Sequence, residues 1–321
     1  MIISQTPTRI SFLGGNTDFR EYYLKYGGLC LTATIDKYIY CIVKKRFDDL
    51  IYVNYSEKEI VEKVGDLKHG LVREALKLVG ITKGIEISFL ADIPSQGSGL
   101  GSSSAVTVGV LNALHAYLGQ YVSSEQLAEE AITIEIDILK NPIGIQDQHI
   151  VAMGGLRLIE FTTGNSVFGK RLKMDESVKE DFNNSLMLFY TGITRKTNDI
   201  LSKFDVSNNL SLLHQKKVLA LDGTTALLKG DLKKFGKVLN FNWAVKSLLG
   251  DKKDNASIDH MRNEAMNAEA IGVKVIGAGG GGFLLVMFPA NKRAKIREAL
   301  KDYKELPFRF TEFGSKIIFN I

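Results

Sequence analysis

A loop rich in glycine and serine, from Pro94 to Ala105, contains the residue types in this sequence that are best suited to chemistry. It reads Pro-Ser-Gln-Gly-Ser-Gly-Leu-Gly-Ser-Ser-Ser-Ala and connects a predicted strand to a predicted helix. Backbone N–H groups of such a loop can converge on one anion, and the helix N-terminus adds partial positive charge. The pattern predicts a binding site for nucleotide phosphates, with serine hydroxyl groups available to phosphate or Mg²⁺. A flexible connection without a ligand is the alternative.

Two common nucleotide motifs do not describe this loop. No Gly-Lys-Ser/Thr follows its glycines, so it is not a Walker A loop. It does not fit Gly-x-Gly-x-x-Gly either, because the third glycine position falls on Ser102 or Ser104 when counted from Gly97 or Gly99.

A second glycine run, Gly277 to Gly282, lies between two predicted strands within 273–288. Consecutive glycines lose much conformational entropy on folding, so such a run indicates that a ligand or tight packing excludes side chains. A simple hairpin turn needs only about two residues, which makes that alternative weaker.

A third segment places an arginine, two glycines and a carboxylate close together near the start of the chain. Arg9 lies on a predicted strand, and Gly14-Gly15 and Asp18 follow it. The arginine can hold a phosphate and the carboxylate can accept hydrogen bonds from hydroxyl groups. Taken alone, a surface arginine beside a turn explains the pattern equally well.

The elements that must position these segments are mixed in type. Helical periodicity or capping predicts helices over 71–79, 104–118, 124–140, 209–229, 231–249, 257–270 and 291–303. Aromatic, β-branched or alternating residues predict strands over 38–43, 50–54, 85–89, 155–161 and 186–190, with a strand pair in 273–288 and two closing strands. The predicted strands and helices do not alternate regularly, as they do in βαβ units, so we predict two α+β domains, 1–165 and 166–321.

Composition narrows the class of protein. The 321 residues are 45% hydrophobic and 24% charged, with a net charge of +5 and no basic stripe, which favours an enzyme for anionic ligands over a nucleic-acid binder. Two cysteines, Cys30 and Cys41, form no disulfide framework and indicate a reducing compartment. The sequence shows no signal peptide and no long apolar run, so we expect a cytoplasmic protein without a membrane or nucleic-acid partner.

The three glycine-containing segments together resemble, in order and spacing, the three motifs of the GHMP kinases, the family of galactokinase, homoserine kinase, mevalonate kinase and phosphomevalonate kinase. The phosphate-binding loop of that family is Pro-x-x-x-Gly-Leu-Gly-Ser-Ser-x-Ala, which stands here as Pro94 to Ala105 with one extra residue before Gly99. The resemblance spans residues 7–283. It implies an N-terminal domain like domain 2 of ribosomal protein S5, a ferredoxin-like C-terminal domain, and ATP with Mg²⁺ between them.

The resemblance also points to a fourth segment, in which Asp147 follows Glu135 by twelve residues. In the sugar kinases of the family, the helical glutamate binds Mg²⁺ and the aspartate acts as base on the acceptor hydroxyl. Helical periodicity alone does not choose between Glu135 and Asp137, because both flank the apolar face at similar angles. Only the resemblance favours Glu135, and a solvated helix edge is the plain alternative for both acids.

The resemblance assigns the remaining roles. The residues expected to hold ATP are Pro94, Gly97, Ser98, Gly99, Leu100, Gly101, Ser102, Ser103 and Ser104. Ser103 and Glu135 would hold Mg²⁺, Arg9 would neutralise charge on the transferring phosphoryl group, and Asp147 would accept or orient the substrate proton. The residues expected to contact the substrate are Gly15, Asp18, Gly279, Gly280 and Arg195.

Residues 26–28 and 33–38 are similar to the D-glycero-D-manno-heptose 7-phosphate kinases of this family, although Asn16 stands where those more often have glycine. The implied reaction is phosphoryl transfer from ATP to the anomeric C1 hydroxyl group of this heptose phosphate. Arg195 and Lys196 are the candidate contacts to the phosphate of the sugar, and ordinary surface cations explain them equally well. A kinase for unphosphorylated galactose or fucose and a non-catalytic nucleotide-binding regulator are the alternatives. The intact Arg9, Glu135 and Asp147 argue against the regulator.

Overall fold

Two β-sheets organise the chain in the computed structural model, which describes residues 1–94, 97–193, 204–249, 256–277 and 281–321. The strands of the first sheet are β1 (Ile2–Leu13), β2 (Gly28–Lys45), β3 (Ile51–Asn54), β4 (Lys58–Val61), β5 (Ile85–Ala91), β6 (Leu156–Phe161), β7 (Val167–Arg171) and β12 (Lys316–Asn320). The strands of the second sheet are β8 (Leu186–Tyr190), β9 (Gly272–Val275), β10 (Phe283–Met287) and β11 (Glu305–Leu306).

The long strand β2 holds the first sheet together. It pairs with β1 along one edge, and along the other edge with β6 near its start and with β5 near its end. Only β3 and β5 run parallel among these described pairs. Strand β12, from the far end of the chain, pairs with the outer edge of β1. Strand β1 is therefore an inner strand, and its middle residues are buried.

The helices are α1 (Arg20–Tyr26), α2 (Gly70–Val79), α3 (Ser102–Tyr117), α4 (Ser124–Ile132), α5 (Gln146–Met153), α6 (Glu176–Asn184), α7 (Leu210–Leu228), α8 (Leu232–Ser247), α9 (Ala256–Asn267) and α10 (Arg293–Ala299). A π-helical segment, Thr133–Ile138, continues α4. Helix α3 lies against β1, where a Cβ atom on Gly109 would stand 2.8 Å from the Thr6 hydroxyl group. The small residue thus allows the helix that follows the Gly/Ser loop to approach the strand that carries Arg9.

An aromatic cluster joins the first sheet to the elements around the second. The Phe12 ring from β1 lies 5.4 Å from Phe182 and 5.9 Å from Phe235, between ring centroids. All three rings are buried, together with Leu188 and Leu285 of the second sheet. Because burial of an aromatic side chain is strongly favourable, this cluster fixes the end of β1 against α8 and the second sheet.

The structure confirms most of the elements predicted from periodicity and corrects some of their bounds. Ser123 caps α4 by accepting a hydrogen bond from the Gln126 N–H group, as the capping signature predicts. The helix predicted to reach residue 140 changes instead to a π-helix after Ile132. Strands β7 and β12 follow residue 165 in the chain and still pair within the first sheet, and the division into 1–165 and 166–321 stays a prediction. Among the described helices, none has the length and apolar character needed to cross a membrane.

Candidate active site

Arg9 and Asp147 form a bidentate ion pair at the centre of the candidate site. Arg9 donates from Nε to Oδ1 of Asp147 at 2.6 Å and from Nη2 to Oδ2 at 2.5 Å. Its third guanidinium nitrogen donates to the Gly99 carbonyl at 2.6 Å, and its backbone N–H donates to the Leu100 carbonyl at 2.8 Å. Since bidentate pairing fixes both groups in one plane, β1 holds the carboxylate of α5 beside the Gly/Ser loop.

The Gly/Ser loop depends on glycine for its backbone conformation. Gly97, Gly99 and Gly101 all have positive φ, between 69° and 74°, which L side chains rarely adopt. The Ser98 hydroxyl group lies 2.9 Å from that of Ser102 and accepts a hydrogen bond from the Leu100 N–H group. These contacts bend the loop into the first turn of α3, where the helix N-terminus favours an anion. Pro94 precedes two residues that lie outside the described part of the chain.

The second glycine run packs against the loop at its described ends. A Cβ atom on Gly277 would stand 2.5 Å from the Gly99 Cα atom, and one on Gly282 would stand 2.3 Å from the Ser98 carbonyl oxygen. Side chains are therefore excluded here by backbone contact between the two segments. The predicted substrate contacts Gly279, Gly280 and Arg195 lie outside the described residues.

Glu135 lies beneath the start of α3 and is fully buried, at 0% exposed. Its carboxylate accepts hydrogen bonds from Ser103 at 3.2 Å, from Ser104 at 2.9 Å and from Thr107 at 2.6 Å, and also from the Gln148 side chain. Burial raises the pKa of this carboxyl group, and the hydrogen bonds oppose that effect.

Glu135 and Asp137 lie on different sides of the π-helical segment. The Leu139 N–H group donates to the Ile134 carbonyl at 3.0 Å, five residues back, so each residue turns less about the axis than in an α-helix. Within this segment, Glu135 accepts a hydrogen bond from Ser103, whereas the Asp137 side chain is 43% exposed and pairs with Arg20. The α-helical wheel treated the two acids as equivalent, and the structure does not.

Asp18 is the second carboxylate near Asp147. It is buried, its Oδ2 accepts a hydrogen bond from the Gln146 N–H group at 3.2 Å, and its Oδ1 has no partner among the described residues. Burial and the charge of Asp147 raise the pKa of Asp18. Gly15 lies on the same side, where a Cβ atom would stand 3.4 Å from the Gln146 side-chain nitrogen.

Three polar residues of this region are not predicted as site residues from the sequence. Thr107 and Gln148 complete the set of donors around Glu135, and the Asp147-Gln148 pair was the available signal for the latter. In the sequence, Lys216 stands next to Lys217 and looks like an ordinary surface lysine. In the structure its side chain is only 1% exposed and donates to the Asn16 side chain at 2.7 Å. Nothing in the local sequence distinguishes it from Lys217.

The donor set fits a magnesium ion that arrives with a nucleotide. No group of three or more His, Cys, Asp or Glu residues that would hold a metal occurs in the described part of the chain. Mg²⁺ is commonly held by one or two carboxylates together with phosphates and water, and Ser103 with Glu135 offers a hydroxyl oxygen and a carboxylate 3.2 Å apart.

The arrangement therefore combines an anion-binding loop, an arginine that contacts both this loop and a carboxylate, and a second buried carboxylate with an unpartnered oxygen. Such a set suits transfer of a phosphoryl group to a hydroxyl group, where catalysis consists mostly of positioning and neutralisation of charge.

Comparison with known proteins gives matches over nearly the whole chain. Residues 66–155 match the model of the GHMP kinases N terminal domain, and residues 224–305 match that of the GHMP kinases C terminal domain. The chain is 30% identical to a D-glycero-alpha-D-manno-heptose 7-phosphate kinase of Campylobacter jejuni, with 98% of both chains covered. It is 26% identical to an L-fucokinase/L-fucose-1-P guanylyltransferase of Bacteroides fragilis, covering 97% of this chain and 37% of that protein.

A crystal structure shows the same architecture. It is that of a D-glycero-D-manno-heptose 1-phosphate kinase from Bacteroides thetaiotaomicron, with a TM-score of 0.84 and 26% identity, covering 100% of this chain and 99% of the other.

Proposed function

This chain belongs to the GHMP kinase family, and on that basis we propose that it transfers the γ-phosphoryl group of ATP to the anomeric C1 hydroxyl group of D-glycero-D-manno-heptose 7-phosphate. One geometric observation carries the proposal. Arg9 contacts both the Asp147 carboxylate and the Gly99 carbonyl of the phosphate loop, so its positive charge lies between an acceptor site and a nucleotide site. The heptose phosphate kinase that is similar over 98% of its length supports the choice of acceptor.

Each group of residues in the site has its own role in this reaction. The loop from Gly97 to Ser104 binds the phosphates of ATP, and Arg9 balances negative charge on the group in transfer. Asp147 orients the acceptor hydroxyl group and takes its proton, while the free oxygen of Asp18 accepts a hydrogen bond from another hydroxyl group of the sugar.

Mg²⁺ belongs to this proposal as well. Ser103 and Glu135 would hold it, and the ion supplies neutralisation of charge on the nucleotide phosphates. The roles of Gly15, Gly279, Gly280 and Arg195 at the substrate stay predictions. The cytoplasmic location also stays a prediction, and both cysteines on which it rests, Cys30 and Cys41, are buried free thiols.

Initial rates of ADP formation test the proposal directly. We would supply ATP, Mg²⁺ and one acceptor at a time: the heptose 7-phosphate, the same heptose without phosphate, galactose and fucose. The expected result is the highest kcat/KM with the heptose 7-phosphate. Asp147→Asn serves as the control for contaminating kinases, because it removes the carboxylate and keeps the shape of the side chain.

A kinase for an unphosphorylated hexose is the second candidate, and the similarity to the L-fucokinase protein favours it. A higher kcat/KM with fucose or galactose would support that candidate and contradict the heptose phosphate. ADP formation with none of the acceptors would contradict both.

A further inference from the structure

Lys216, on α7 (Leu210–Leu228), is a buried cation with no carboxylate in hydrogen-bond range within the described ranges of the chain. Its side chain is 1% exposed, and the Asn16 side-chain oxygen, 2.7 Å away, is the one hydrogen-bond acceptor it reaches in the described part of the chain. An ammonium group carries three N–H donors, so two of them lack an acceptor. Burying an incompletely paired charge is costly, which indicates that an additional acceptor binds here.

Two other lysines near Lys216, the buried Lys274 and the half-buried Lys246, already donate to backbone carbonyl groups. Lys274 donates to the Ser11 and Phe12 carbonyls, each at 2.6 Å, and Lys246 donates to the Gly277 carbonyl. Their positive charges act on each other and on Lys216, and together with burial they lower the pKa of Lys246 and Lys274. These lysines therefore lie close enough to disfavour one another's charged forms beside the acceptor end of the site, and a bound dianion would favour those charged forms again.

Unpartnered polar atoms lie in the same region. The Asp18 Oδ1 and Gln146 Oε1 atoms are buried and have no hydrogen-bond partner among the residues that the structure describes, and the same holds for both polar atoms of the Asn242 side chain, one helical turn before Lys246. The charge of Lys216 acts on Asp18 and lowers its pKa, although burial outweighs this effect. Since buried polar atoms are nearly always paired, this group indicates a polar ligand that supplies both hydroxyl and anionic groups.

We propose that Lys216 binds the phosphate group that the acceptor sugar already carries, while Asp18 accepts a hydrogen bond from a hydroxyl group of that sugar. This inference rests on the proposed function and names the residue that makes the site prefer a sugar phosphate to a sugar. It places the phosphate contact on α7 rather than at Arg195.

The test compares kcat/KM for the heptose 7-phosphate with kcat/KM for the unphosphorylated heptose. Lys216→Met keeps the length of the side chain and removes the charge, and Lys216→Arg keeps the charge. Lys216→Met is expected to fold, because it removes a buried charge that has no carboxylate within hydrogen-bond range among the described residues. Thermal unfolding checks this for each variant.

Lys217→Met is the matched control on the same helix, since the Lys217 ammonium group donates to the Tyr26 carbonyl at 2.6 Å, away from Asn16. Lys25→Met is a second control. Lys25 is an exposed lysine that lines an open cavity of about 520 Å³ beside Phe19, and it is the competing place for a sugar phosphate.

In Lys216→Met, the preference for the phosphorylated sugar should fall roughly ten- to a hundredfold, as expected for loss of one hydrogen bond between charged groups. Lys216→Arg should restore part of the preference, and Lys217→Met should leave it unchanged. Equal losses for both sugars in Lys216→Met, or loss of preference in Lys25→Met or Arg195→Ala instead, would overturn the inference.

Titration calorimetry without ATP provides a readout that does not depend on turnover. The heptose 7-phosphate should bind the unaltered protein with uptake of protons near pH 8, and Lys216→Met should bind it more weakly without that uptake. If the unaltered protein neither binds nor phosphorylates the sugar phosphate, the proposed function fails. If it does both and Lys216→Met behaves in the same way, only the role of Lys216 fails.

Discussion

The Arg9 guanidinium group holds the Asp147 carboxylate through two hydrogen bonds, of 2.6 and 2.5 Å, while its third nitrogen contacts the Gly99 carbonyl. One side chain therefore fixes the distance between the phosphate loop and the acceptor carboxylate. Any change that moves β1 alters both halves of the site together.

Asp147→Asn should lower kcat by about 10² to 10⁴ if the carboxylate takes the proton of the acceptor hydroxyl group. The dissociation constant for ATP should change little, because in the described part of the loop Asp147 makes contact only through Arg9. Single-turnover rates and ATP titrations measure the two effects separately. Near-normal kcat in this variant would show that Asp147 is not the base.

Glu135→Gln should raise the Mg²⁺ concentration needed for half-maximal rate. The amide keeps the size of the side chain but removes the negative charge that would attract the ion near Ser103. Asp137→Asn is the matched control, because Asp137 lies two residues away and faces Arg20. The reverse outcome, with a shift only in Asp137→Asn, would reject Glu135 as a ligand.

Gly99→Ala should weaken ATP binding and destabilise the fold more than Gly80→Ala does. Both glycines have positive φ, 74° and 77°, so both variants carry similar backbone strain. A Cβ atom on Gly99 would stand 2.4 Å from the Ile276 carbonyl oxygen, whereas one on Gly80 would meet nothing within 4 Å. Urea unfolding and ATP titration of the pair isolate the contact between the loop and the second glycine run. Equal destabilisation would mean that this contact contributes nothing.

Binding of the heptose 7-phosphate should weaken above about pH 8. Burial lowers the pKa of Lys216 to about 8, and the negative charge of Asp18 opposes this effect only in part. Lys216 thus loses its positive charge as the pH rises through this value. On the acid side, the sugar phosphate loses its second charge below about pH 6.

KM for the heptose 7-phosphate, measured from pH 5.5 to 9.5, should therefore have its minimum between these values. Lys216→Arg should remove the rise on the alkaline side, since an arginine stays protonated throughout. An unchanged alkaline rise in this variant would assign the titration to another group.

Much of the fold and part of the site follow from local sequence. The loop of Gly97 to Ser104, the capped helix after Ser123 and the strand of Arg9 all have local patterns, and the structure places them as expected. The contact between Gly99 and Gly277 has no local sequence pattern. It joins segments 178 residues apart through backbone atoms, and such a contact leaves no pattern in side-chain type.

The π-helical turn and Lys216 show two other limits of local patterns. Helical periodicity places Glu135 and Asp137 on the two flanks of the apolar face, but it does not show which flank meets the Gly/Ser loop, and the hydrogen bonds here span five residues rather than four. Lys216 is buried by the tertiary packing of α7 against β1 and β2, and a lysine next to another lysine gives no sign of this.

The most direct test of the central claim is ³¹P NMR of a reaction that contains the protein, ATP, Mg²⁺ and D-glycero-D-manno-heptose 7-phosphate. We expect one new signal from a phosphate that couples to the anomeric proton, growing in equal amount with ADP, while the signal of the 7-phosphate persists. Absence of the anomeric phosphate signal, or its appearance only when a plain hexose replaces the heptose phosphate, would contradict the account.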